Sequence, residues 1–205
     1  MYKRQDMGLD RLSDPSDPLY ISDDAPAKLS DAKDLFYDQD NDTFWVCDSG
    51  NNRILRLDTD LKVTGCYTGF TGSTEISVGE DGKSTFLNPN GIYVKKSIFD
   101  DKLYVYIADT DNSRAVKCTV ESGTEMTLVQ EYTKPDTKLY DSETFNPSKI
   151  LADKAENIYV VCKSVNTGSV QFNKDGEFQG FYGANRVEVT AAVIAQKLLS
   201  LIHIS

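Results

Sequence analysis

A short polar corner, flanked on each side by an apolar run and repeated along the chain, limits what this sequence can fold into more than any other feature. The first copy runs from Thr43-Phe44-Trp45-Val46-Cys47 through Asp48-Ser49-Gly50-Asn51-Asn52-Arg53 to Ile54-Leu55-Arg56-Leu57. The second runs from Leu103-Tyr104-Val105-Tyr106-Ile107-Ala108 through Asp109-Thr110-Asp111-Asn112-Ser113-Arg114 to Ala115-Val116-Lys117-Cys118. A worn third copy joins Asn157–Cys162 to Ser169–Phe172 through Lys163–Gly168. Superposed without gaps, Asp48, Asp109 and Lys163 coincide, as do Asn51, Asn112 and Asn166, and Arg53, Arg114 and Gly168. Cys47 and Cys162 then share a place as well. The runs are short, β-branched or aromatic, and bounded by turn residues, which predicts strands covered on both faces.

Each copy follows an upstream strand-like segment, Asp34–Asp38, Asn88–Val94 or Asn146–Asp153, and precedes a further one, Val63–Thr68, Thr127–Tyr132 or Phe178–Tyr182. Four strands per unit, repeated about the chain, predict an all-β partial β-propeller of about three four-stranded antiparallel blades over 32–183. The repeat is longer than the roughly 40 to 50 residues of a plain blade. Polar insertions at Thr71–Thr85 and Thr133–Thr144 account for the excess.

The corner has a direct physical reading. Asp48 is suited to accept backbone N–H bonds across the turn, Gly50 and Asn51 tolerate left-handed backbone, and Arg53 can return to a carboxylate or carbonyl. The same roles fall to Asp109, Asn112 and Arg114. These residues are expected to hold blades together, so no catalytic residue, metal ligand or cofactor is assigned.

The ends differ from the middle. Residues 1–31, rich in Asp, Ser and Pro, read as a partly disordered lead-in, with Leu19-Tyr20-Ile21 as an edge strand. Residues 184–205 leave the β pattern, and Ala191–Leu199 predicts a helix capped by Thr190 with Val193, Ile194, Leu198 and Leu201 on one face. Met1–Gln5 and Leu199–Ser205 look like translated adapter sequence, so His203, the only histidine, leaves the functional discussion. Three blades cannot close a ring and would expose two blade faces, so a fragment of a larger protein is expected.

The segment Trp45–Ile54 resembles the core of an NHL repeat, whose pattern is an apolar strand, Asp-x-Gly-Asn-x-Arg and a second apolar strand. The second copy keeps Asp109, Asn112 and Arg114 but carries Asp111 at the glycine place; the third keeps only Asn166. The resemblance implies a bacterial propeller, commonly six-bladed, related in architecture to TolB-like, lactonase and regucalcin-like families.

Net charge of −10, from 22 basic and 32 acidic residues, repels phosphate backbones and argues against nucleic acid. No run approaches the roughly 18 apolar residues of a membrane span, so no direct membrane insertion is expected. Four scattered cysteines, Cys47, Cys66, Cys118 and Cys162, form no C-x-x-C pair and read as buried small hydrophobes. The functional expectation is a non-enzymatic scaffold for a protein, peptide or carbohydrate ligand; Tyr67, Phe70, Tyr132 and Tyr140 beside the insertions read first as blade-edge packing and second as residues that stack on a ligand. The alternative is a metal-dependent lactonase-like hydrolase, with Asn88, Asn90 and Asn146 able to point to the axis, although Asn-Pro there serves equally as a turn before a strand. The acidic surface and the resemblance point to an extracytoplasmic or cell-surface position, while unpaired cysteines point the other way.

Overall fold

The computed structural model describes residues 6–72, 83–140, 142–163, 165 and 168–183. Strands β1 (Asp34–Asp38), β2 (Thr43–Asp48), β3 (Arg53–Leu57) and β4 (Val63–Tyr67) form one antiparallel sheet in chain order. Strands β5 (Gly69–Thr71) and β6 (Lys83–Thr85) form a hairpin at the outer edge of the second sheet. That sheet otherwise contains β7 (Pro89–Lys96), β8 (Leu103–Asp109), β9 (Arg114–Val120) and β10 (Met126–Tyr132). Strands β11 (Pro147–Ala152), β12 (Ile158–Cys162), β13 (Ser169–Phe172) and β14 (Phe178–Tyr182) form the third. The inner strand β7 packs against β1 on one side and β11 on the other without exchanging ladder bonds. Three sheets therefore stack face to face along their inner strands, and the described residues form a partial β-propeller of three blades.

Two-residue alternation sorts each blade's side chains between its neighbours. Trp45, Cys47, Ile54 and Tyr67 of blade 1 meet Ile92, Val94, Val105 and Ile107 of blade 2, while Tyr104, Tyr106 and Ala108 on the other face of β8 meet Ile150, Ile158 and Val160 of blade 3. At about 25 cal/mol per Å² of apolar surface removed from water, this face-to-face burial is the main force holding blade to blade.

The lead-in departs from expectation. Leu19–Ile21 is not a strand; Leu9 and Leu12 of a 3₁₀ turn (Leu9–Ser13) join Leu19 and Ala25 in covering Val46, Leu55, Leu57, Val63 and Cys66 on the free face of blade 1. The Asp-, Ser- and Pro-rich composition hid this because only a few large apolar residues do the covering. The insertion after β4 is also not a plain loop. Its ends form the β5–β6 hairpin, and β5 runs parallel to β10, paired at Thr71 and Thr127. The predicted helix over 190–199 and Asn166 lie outside the described residues.

Candidate functional site

The polar corners of blades 1 and 2 are the same object built twice. Each is a 3₁₀ turn, Ser49–Asn51 or Thr110–Asn112, closed by a left-handed residue, Asn52 or Ser113, at φ 53° in both. In blade 1, Asp48 Oδ2 accepts Arg53 Nε (2.7 Å) and Asn51 Nδ2 (2.9 Å), and Oδ1 accepts the Ser30 N–H (2.7 Å). Arg53 Nη2 then donates to the Pro26 carbonyl (2.8 Å). In blade 2, Asp109 Oδ2 accepts Arg114 Nε (2.8 Å) and Asn112 Nδ2 (2.8 Å), and Oδ1 accepts the Leu87 N–H (2.8 Å). Arg114 also donates to the Thr85 carbonyl and lies 4.8 Å from the Phe70 ring centroid. All four charged groups are buried. Such a pair is costly to break, because removing one partner strands the other charge away from water.

The left-handed positions are Asn52 and Ser113, not Gly50 and Asn51, which lie inside the 3₁₀ turn. Gly50 is required for a different reason: a Cβ there would sit 2.5 Å from Ser30 Oγ and 2.9 Å from the Ser30 carbonyl oxygen. In blade 2 the same place is held by Asp111, whose N–H donates to the Leu87 carbonyl and whose Oδ2 accepts Asn88 Nδ2.

Register corrects the third copy. Pro147 pairs with Cys162 as Pro89 pairs with Asp109, so Cys162, not Lys163, is the counterpart of Asp48 and Asp109. Cys47 instead matches Ala108 and Val161, and the expected equivalence of Cys47 with Cys162 falls. The corner of blade 3 holds one extra residue, which superposition without gaps cannot detect. Gly168 does stand where Arg53 and Arg114 stand, at φ 122°. Both members of the ion pair are thus absent from blade 3, and the apolar cluster there takes in Tyr140, Phe145, Cys162 and Phe172, with Phe178 and Phe181 against it.

A hydroxyl beside each acidic corner residue joins neighbouring blades. Ser49 Oγ donates to the Pro89 carbonyl, and Thr110 Oγ1 donates to the Pro147 carbonyl at 2.6 Å. Near the axis, Asp34, Gly91 and Lys149 occupy matching places on the three inner strands. Asp34 Oδ2 accepts the Ile92 N–H (2.9 Å), and Asp34 Oδ1 meets Lys149 Nζ (2.5 Å), so a blade 1 carboxylate reaches a blade 3 ammonium across blade 2. Gly91 leaves the room: a Cβ there would lie 2.7 Å from the Ser148 carbonyl oxygen and 2.8 Å from Lys149 Cα.

Burial and hydrogen bonding decide between the two readings of the candidate ligand contacts. Tyr67, Phe70, Tyr132 and Tyr140 are all buried between blades, so none is open for stacking on a ligand in this arrangement. Asn90 Nδ2 donates to the Asn88 carbonyl and Thr110 Oγ1, Asn88 Nδ2 to Asp111, and Asn146 Nδ2 to Thr144 Oγ1; all of these bonds stay within blade 2 or the turn into β11. Among the described residues no three His, Cys, Asp or Glu side chains gather as a cation site. All four cysteines are buried and free. Burial pushes every thiol up, Cys66 to about 11 and Cys162 to about 12, which keeps them protonated at neutral pH. Among the described residues no helix is long and apolar enough to cross a membrane.

No family model and no curated protein matches the sequence. Solved structures do resemble it. Hydrazine synthase from Kuenenia stuttgartiensis superposes with TM-score 0.49 at 13% identity, over 80% of this chain and 40% of that one. A catalytically inactive virginiamycin B lyase from Staphylococcus aureus gives 0.44 at 14%, over 72% and 40%. A putative gluconolactonase gives 0.45 at 12%, over 77% and 50%. The chain therefore spans half or less of the length of each, and its propeller architecture rests on its own strand order and blade packing.

Proposed function

We propose that this chain belongs to a non-catalytic, NHL-type propeller scaffold that binds a protein, peptide or carbohydrate ligand outside the cytoplasm. One observation carries the reading: the polar side chains at the corners and axis are turned inward on the fold. Asp48 and Asp109 each have both oxygens bonded within or beside their own blade, and Asp34 bridges three blades. Groups so engaged serve rigidity, and a rigid frame with variable loops is the usual basis of recognition. Exposed apolar residues add a place for contact, since Ile98 and Phe99 stand side by side and uncovered at the β7–β8 turn. The test pairs two titrations. Calorimetry with calcium, magnesium and zinc should give no stoichiometric heat, while peptide and oligosaccharide arrays should give at least one saturable ligand that competes in solution. Tight one-to-one binding of a divalent cation together with lactone hydrolysis would replace this reading with a metal-dependent hydrolase.

A further inference from the structure

The outward face of blade 3 repeats the faces that blades 1 and 2 bury. Register matches Trp45, Tyr106 and Tyr159 on the second strand of each blade, Tyr67, Tyr132 and Tyr182 on the fourth, and Arg56, Lys117 and Gln171 on the third. Trp45 and Tyr67 stack at 5.8 Å between ring centroids, and Tyr159 and Tyr182 meet edge to face at 5.0 Å. The first pair is fully buried. On blade 3, Tyr182 is 63% exposed, Leu151 47% and Val161 46%, around a groove of about 400 Å³.

What covers the matching faces is partly the next blade and partly the segment that follows the fourth strand. Phe70 and Phe86, which follow β4, share a core with Trp45 and Tyr67; Tyr140 and Phe145, which follow β10, share one with Tyr106 and Tyr132. Chain beyond Tyr182 starts at the rim of the uncovered face. It supplies Val187, Val189, Val193, Ile194 and Leu198 within 16 residues, and Tyr140 and Phe145 reach the matching face of blade 2 within 14 residues of Tyr132.

We propose that residues 187–198 of this chain dock on the Leu151, Tyr159, Val161 and Tyr182 face. Hydrogen exchange on the full chain tests it. The amides of 187–198 should exchange at least about tenfold more slowly than in a free peptide of the same sequence, and trypsin should cut slowly at Arg186 and Lys197. Val161→Ser/Tyr182→Ser should remove that protection, while Val129→Ser, at an exposed position on β10, should not, with Trp45 fluorescence unchanged in both. Exchange at free-peptide rates in the parent would overturn the proposal, as would protection that survives the double substitution. Protection lost on dilution together with a dimer would assign the face to a second copy and overturn it equally.

Discussion

Blades 1 and 2 fill the bend between their second and third strands with a buried aspartate–arginine pair, whereas blade 3 fills the matching space with aromatic rings and a thiol. The strand geometry on either side is shared, so the difference isolates what the ions contribute. In blades 1 and 2 each aspartate gathers an arginine, an asparagine and the backbone of the segment leading into its own first strand. In blade 3 that connection is drawn in by packing instead: Tyr140 and Phe145 share the cluster of Cys162 and Phe172, and Tyr140 Oη donates to the Thr144 carbonyl. Loss of both charges together is what physics favours, because an ion pair replaced whole by apolar groups is near neutral, while half of one is costly.

The largest effect should come from halving a pair. Asp109→Ala leaves buried Arg114 with only the longer carboxylate contact, to Glu131 (3.5 Å), and should cost about 3 kcal/mol in urea unfolding. Asp109→Ala/Arg114→Met should lose less than the sum of its single substitutions, with a coupling of about 0.5 to 3 kcal/mol. Additive losses would show that the pair is not a unit.

Restoring the repeat in blade 3 should harm it. Cys162→Asp supplies the acidic corner residue but places a carboxylate among Tyr140, Phe145 and Phe172 with Gly168 where the arginine would be. A loss of about 3 kcal/mol is expected from an uncompensated buried charge. A stabilised Cys162→Asp protein would mean that blade 3 still carries the polar design.

Gly91→Ala should cost about 1 to 3 kcal/mol by overpacking, since the new methyl meets backbone of blade 3 and not a flexible side-chain end. The matching position in blade 1 is Asp34, and Asp34→Ala should be milder because its lysine partner is half exposed. Equal losses, read from thermal unfolding, would contradict the close approach of blades 2 and 3.

These contrasts also mark what could be read from sequence. The corners of blades 1 and 2 were legible because turn chemistry is local: Asp, Asn and Arg at fixed spacing meet within six residues. The blade count followed from the repeated corner and the strand-like runs that flank it. Three things were not legible. The extra residue in the corner of blade 3 shifts a superposition by one position, and only ladder register reveals it. Asp34 and Lys149 meet because three inner strands converge, which no local pattern records. Tyr67, Phe70, Tyr132 and Tyr140 leave blade packing and ligand stacking both open in one dimension, and only their burial decides for packing.

The smallest effect separates the two blade interfaces by pH. Arg56 stays on its own blade, donating to the Thr64 carbonyl (3.0 Å), but its counterpart Lys117 crosses to Glu156 of blade 3 at 2.8 Å and lies 3.8 Å from the Tyr104 ring centroid. Burial pushes the Glu156 carboxyl up and Asp100 adds to that push, but the Lys117 ammonium and a hydrogen bond with Ser97 together outweigh both and hold it below its ordinary value. A carboxylate lowered in the fold contributes stability that is fully present above its unfolded value near 4.3 and is lost as pH falls through the folded value. Below about pH 4, hydrogen exchange should therefore accelerate in β8, β9 and β12 more than in β2 and β3. Glu156→Gln should start less stable at neutral pH, since Lys117 loses its counter-charge, and should show a flatter acid limb at the blade 2–3 interface. An identical acid response at both interfaces, or in parent and variant, would show that Lys117 and Glu156 do not link these blades.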